Sequence, residues 1–141
     1  MEKKKKEKKI IETGKRKLAI AKATIKEGTG KVKINSKPLE FWGNEFVRMR
    51  VKEPLFLAED VAKRVNINVS VTGGGTTGQS DAARMAIAKA LVTFSKDKKL
   101  KERFIKYDRN MLVYDPRRNE PHHAGGASRR GSRRHKQRSK R

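Results

Sequence analysis

Cysteine is absent from all 141 residues. That excludes disulfides, thiol nucleophiles and cysteine-ligated zinc, and it fits a cytosolic protein. Aromatic residues make up only 6% of the chain, and the adjacent Phe41 and Trp42 read as packing residues rather than base-stacking platforms. No apolar run approaches the ~18 residues that a membrane helix needs. The N-terminal lysines have no apolar segment behind them, as a secretory signal would require, so no membrane contact is expected. Acid is also scarce, with 15 Asp and Glu against 38 Lys and Arg, a formal net charge of +23. A chain this cationic repels itself and calls for a polyanionic partner, and with membranes set aside that partner is nucleic acid.

The charge is concentrated at the ends. Residues 1–17 carry nine basic residues against Glu2, Glu7 and Glu12, and residues 117–141 carry ten against Glu120. Three zones follow. A basic extension spans 1–13, a globular α+β domain 14–116, and an extended arginine-rich arm 117–141. In the arm, Arg129, Arg130, Arg133 and Arg134 are separated by Gly131 and Ser132 and followed by Lys136, Arg138, Lys140 and Arg141. Arginine binds phosphate through two parallel N–H donors, and small spacers let a chain thread a crowded groove. Such a segment orders on a polyanion. His122 and His123 lack a third ligand, so neither a metal nor any other cofactor is expected.

Within the middle zone, residues 18–25 and 31–35 alternate apolar with polar and flank the turn Glu27-Gly28-Thr29-Gly30, which predicts a β-hairpin. Ser36-Lys37-Pro38 ends its second strand. Residues 41–50 suggest a short helix with Phe46 and Val47 inward. Pro54 suits the first position of another helix, with Leu55, Leu57, Ala58, Val61, Ala62 and Val65 at helical spacing. The β-branched run 65–71 predicts a central strand. A helix follows over 79–95, with Ala83, Ile87, Ala90, Leu91 and Phe94 on one stripe. A shorter one covers 100–107, with Leu100, Phe104 and Ile105 inward, and 111–114 reads as a last strand.

The glycine loop between strand and helix is the sharpest local signal. Gly73-Gly74-Gly75-Thr76-Thr77-Gly78-Gln79-Ser80 matches the phosphate-loop pattern except that Gln79 stands where lysine is required. Glutamine cannot supply that charge, and no strand ending in Asp offers a magnesium ligand, so nucleotide hydrolysis is not expected. The loop allows two readings. Its backbone N–H groups can approach an RNA phosphate, or its glycines simply make a tight turn. Arg84, one turn into the helix, either joins that phosphate site or lies on a solvated face. Architectural DNA binding shares the charge, but it needs a basic groove-entering helix, and residues 79–95 are too apolar for one.

The order of these motifs resembles the small-subunit ribosomal protein S-nine family, in its archaeal and eukaryotic branch. The resemblance rests on Gly14-Lys15-Arg16-Lys17 with Ala19 and Ala21, on Gly28 to Asn35, on the loop 73–79, on the helix pattern 82–91, on Asp115-Pro116-Arg117, and on the terminal Ser139-Lys140-Arg141. It implies an α+β fold like the second domain of ribosomal protein S-five, a two-layer sandwich with a four-stranded sheet, helices on one face and an extended basic C-terminal arm. It implies a cytoplasmic, non-enzymatic constituent of the small subunit on 16S ribosomal RNA in the head, beside neighbouring head proteins. It also implies that Ser139, Lys140 and Arg141 approach the anticodon stem-loop of peptidyl-site tRNA. The residues expected on ribosomal RNA are Lys15, Arg16, Lys17, Gly73, Gly74, Gly75, Gly78, Gln79, Arg84, Arg117, Arg118, Arg129, Arg130, Arg133, Arg134, Lys136 and Arg138.

Overall fold

The computed structural model describes residues 9–119. The first eight residues and most of the expected arm, including Arg129, Arg130, Arg133, Arg134, Lys136, Arg138, Ser139, Lys140 and Arg141, lie outside the described residues, as do His122 and His123.

A mixed sheet and four helices form an α+β body. The strands are β1 (Ile10–Arg16), β2 (Ala19–Glu27), β3 (Val32–Ile34), β4 (Lys37–Pro38) and β5 (Val65–Thr72). The helices are α1 (Glu45–Leu57), α2 (Glu59–Ala62), α3 (Thr76–Ser95) and α4 (Lys98–Tyr107), with short 3-10 turns at Leu39–Phe41 and Arg109–Met111. The sheet has five strands in the order β1-β2-β5-β3-β4, against the four expected. Residues 111–114 are not the last of them, because they leave a 3-10 turn and run on without a strand partner. The additions are β1 and the two-residue β4. The boundary expected between 13 and 14 falls inside β1.

The expected hairpin is split. β2 and β3 do not pair, because β5 lies between them, antiparallel to β2 and parallel to β3. The reason is apolar burial. Val65, Ile67, Val69 and Val71 are at most 4% exposed, and a strand with such a face gains most with a neighbour on both sides. The connection 28–31 bridges the end of β5 instead. Gly28 and Gly30 N–H groups donate to the carbonyls of Arg64 and Val65, at 2.8 and 3.0 Å. Asn66 Oδ1 accepts from the N–H groups of Thr29 and Lys31, both at 3.0 Å.

The hairpins that do form use turns with weaker signals. Lys17 and Leu18 join β1 to β2, with Lys17 at φ 54°. Asn35 and Ser36 join β3 to β4 at φ 47° and 68°, the mirror-image turn that suits strand twist. The expected strand break at 36–38 is therefore a turn followed by β4. Asn35 also ties this turn to the sheet. Its Nδ2–H donates to the Val71 carbonyl at 3.1 Å, and its Oδ1 accepts from the Val71 N–H at 2.8 Å.

All the helices lie on one face of the sheet. α3 crosses β1, β2 and β5, and α1 packs beside it. Ala19, Ala21, Ala23 and Ile25 of β2 meet Ala82, Ala83, Ala86, Ile87, Ala90 and Leu91 of α3 in the core. Small residues on both sides bring helix and sheet close. The approach is tightest at Gly14, where a Cβ would stand 2.1 Å from the Ala82 carbonyl oxygen and 2.7 Å from the Ala86 nitrogen.

Three helical expectations change. α1 runs through Pro54 rather than starting there. Asn44 caps its start by accepting from the Val47 N–H at 3.0 Å, and Pro54 sits in the last turn, where its carbonyl still accepts from the Ala58 N–H at 3.2 Å. Val47 is buried, but Phe46 is 82% exposed rather than inward. In α4, Leu100 and Phe104 are buried while Ile105 is largely exposed. The central strand and the long helix stand as expected, α3 beginning three residues earlier at Thr76. Trp42 is half-buried against the core, and Phe41 is exposed.

Replacement of Gly14 by alanine will force α3 away from β1 and lower the unfolding free energy by about 3 kcal/mol, a typical overpacking cost. Urea unfolding of the variant beside the parent measures it, and an unchanged midpoint would contradict this packing.

Candidate nucleic-acid interface

The glycine loop lies against the β1–β2 turn. Gly73 and Gly74 have φ 75° and 65°, which L side chains rarely adopt. A Cβ on Gly73 would come within 2.5 Å of the Leu18 carbonyl oxygen, and one on Gly74 within 3.0 Å of Ala19. These two glycines are therefore required by the turn itself. Gly78 faces Arg16 and Ala19 at ordinary contact distance, while nothing lies within 4 Å of a Cβ on Gly75. Gly75 is the N-cap of α3, and no side chain caps the helix there. The first N–H groups of α3 thus open onto space, where a helix N-terminus favours an anion.

Gln79 closes the loop on itself. Its Nε2–H donates to the Gly73 carbonyl at 3.0 Å, and its N–H to the Gly75 carbonyl at 2.9 Å. The lysine of a nucleotide-binding loop is thus replaced by a residue that stiffens the turn.

Beside this turn the expected basic residues, joined by Arg50, which was not among them, divide into two groups. Arg16 pairs with Asp115 and, at 3.7 Å, with Asp81. Arg50 reaches the other oxygen of Asp81 at 3.0 Å. Arg117 grips Asp115 with its Nε and Nη2, at 3.0 and 2.8 Å to one oxygen, and its own N–H donates to the other at 3.0 Å. Arg84, whose side chain is only 12% exposed, bridges Glu53 at 2.5 Å and Asp108 at 2.6 Å. Arg84 is thus a strut joining α1, α3 and the segment after α4, and not a solvated helix residue. The second group is unengaged. Lys15, Lys17 and Arg118 are exposed and have no carboxylate partner among the described residues.

Sequence reasoning did not find the acid side of this network, Glu53, Asp81, Asp108 and Asp115. One signal was available. Asp81 and Asp115 are acids within otherwise basic motifs, and a lone acid among cations is usually paired. α3 itself is packed on the sheet with nine residues buried, so it is a core helix and not one free to enter a DNA groove. Among the described residues no group of acidic or histidine side chains is placed to hold a metal ion.

The family model for ribosomal protein S9/S16 matches residues 14–141. A small ribosomal subunit protein uS9 from Methanococcus vannielii is 46% identical over 132 residues, covering 93% of this chain and 98% of its own length. Those of two Methanococcus maripaludis strains are each 47% identical over 115 residues, covering 81% of this chain and 86% of their own.

Burial pushes the Asp108 carboxyl up, but the Asn110 N–H and the Arg84 guanidinium outweigh it, with help from Arg50, and hold it below the ordinary aspartate value. A depressed carboxyl contributes stability above its unfolded pKa and loses it as pH falls through the folded one. The parent will therefore lose more stability than Asp108→Asn between neutral pH and about pH 3. Urea midpoints at both pH values check this, and equal losses would contradict it.

Proposed function

The chain belongs to the ribosomal protein S9/S16 family and is a structural, non-enzymatic constituent of the small subunit of the cytoplasmic ribosome, and from that premise we propose that its body grips the ribosomal RNA of the subunit head while its arm reaches peptidyl-site tRNA. The observation that carries this reading is the split among the cations beside the glycine loop. Arg16, Arg50, Arg84 and Arg117 are engaged with carboxylates and hold the body together. Lys15 and Lys17 flank Arg16, and Arg118 follows Arg117, without a carboxylate partner among the described residues.

On this reading the backbone N–H groups at residues 75–78 take an RNA phosphate, and Lys15, Lys17 and Arg118 take its neighbours. Gly73, Gly74 and Gln79 set the turn, and Arg16, Arg84 and Arg117 act by positioning it. Phosphate contacts of this kind fix register on RNA without reading bases. The arm then follows from Arg118. Its cations, Arg129, Arg130, Arg133, Arg134, Lys136 and Arg138, neutralise phosphates where RNA helices crowd together. Ser139, Lys140 and Arg141 meet the backbone of the tRNA anticodon stem-loop. Neighbouring head proteins complete the setting.

Deletion of Ser139, Lys140 and Arg141 will leave small-subunit assembly intact and weaken peptidyl-site tRNA binding roughly tenfold, the loss expected of two exposed charge contacts. Filter binding of tRNA to reconstituted subunits measures it. Unchanged affinity would contradict the role of the arm tip.

A further inference from the structure

The face of the sheet opposite the helices is open, and its chemistry follows from the strand registers. In one row Thr13 of β1 stands opposite Lys22 of β2, and Lys22 opposite Ser70 of β5. In the next, Thr24 stands opposite Asn68, and Asn68 opposite Lys33 of β3. Lys22, Lys33, Asn68 and Ser70 are exposed. Their side chains make no hydrogen bond or ion pair among the described residues. A groove of about 630 Å³ lies over these four residues.

No carboxylate shares this face among the described residues. Glu12 of β1 has the opposite parity and accepts a hydrogen bond at 2.9 Å from the Thr93 hydroxyl on α3. Glu27 likewise alternates with Lys26, on the parity of the buried Ile25. The acids that pair with Arg16, Arg50, Arg84 and Arg117 come from the helices and the segment after α4. The acids of these pairs thus lie on the helical side, and no outward-facing residue of β1, β2, β3 or β5 among the described residues is a carboxylate.

We infer that this open sheet face is a second RNA-docking surface, which seats the phosphate backbone of a ribosomal RNA helix between Lys22 and Lys33 with Asn68 and Ser70 as hydrogen-bond partners. The inference rests on the RNA-binding reading above and adds a separate surface to it. Three features favour RNA over an acidic protein. Lysine is depleted from the cores of protein–protein interfaces, whereas lysine with amide and hydroxyl side chains is the usual equipment for phosphate. Lys22 and Lys33 stand two strands apart, roughly 10 Å, far enough to hold different phosphates. The face also carries no aromatic residue on β1, β2, β3 or β5, so it has no platform for splayed bases and suits a helix backbone.

Chemical RNA–protein cross-linking of lysines in assembled small subunits tests this, read by mass spectrometry of the peptides. The peptides containing Lys22 and Lys33 are expected to carry ribonucleotides. Recovery of ribonucleotides only on peptides from the glycine loop or the arm would overturn the sheet-face inference and leave the RNA-binding reading standing. Recovery of Lys22 and Lys33 linked to another protein would overturn it in favour of an acidic protein partner. Absence of ribonucleotides from every peptide of this chain would overturn both. As a second measurement, K22Q/K33Q is expected to weaken binding to a head-domain ribosomal RNA transcript about fivefold. K98Q/K101Q, which removes the same charge from α4, is expected to leave it unchanged. Equal weakening by the two pairs would mean that net charge alone is read, and it would overturn the inference.

Discussion

Carboxylates are the scarce component of this molecule, 15 against 38 cations, and where the fold places them governs what its surfaces can do. Asp81, Asp108, Asp115 and Glu53 converge on Arg16, Arg50, Arg84 and Arg117. Apart from the local Arg117–Asp115 pair, they join elements distant in sequence, β1 to the segment after α4 and α1 to α3. Like-charge repulsion would otherwise oppose bringing those elements together. With acid placed there, the β1–β2 turn and the strands' outer face carry cations and no carboxylate among the described residues. Internal cohesion and external attraction are thus two consequences of one distribution.

Backbone proximity makes that distribution possible. Small residues line both sides of the contact between α3 and the hairpin, and Gly14 lets the helix touch the strand backbone. That contact sets the start of α3 against the glycine loop and places Arg84 within reach of both Glu53 and Asp108. It also keeps all four helices on one face, so the other face of the sheet meets its surroundings directly. Helix and sheet packing therefore decides which cations are internal struts and which remain outside.

Much of this was legible in the sequence, and what was not has a physical reason. The β-branched run 65–71 read as a central strand and the apolar stripe of α3 as a helix, and both stand. The order of strands was hidden because β5 inserts between β2 and β3, a long-range event driven by four buried apolar side chains that no local turn signal encodes. β1 was obscured by the lysines and glutamates around it. α1 was misjudged because Phe46, Met49 and Phe56 point outward, which blurs its apolar stripe and made Pro54 look like a beginning. At the interface the glycine loop and the basic cluster were readable, including the missing nucleotide lysine at Gln79. The division of that cluster into engaged and unengaged cations was not, because for Arg16, Arg50 and Arg84 it depends on acids 24 to 99 residues away.

The central claim is that this chain is held to ribosomal RNA mainly by its cations meeting phosphates. The most direct measurement is the salt dependence of its binding to small-subunit ribosomal RNA. With roughly six or more phosphates neutralised, log K will fall against log[salt] with a slope of about −4 or steeper. A slope near zero, with tight binding retained at high salt, would contradict it.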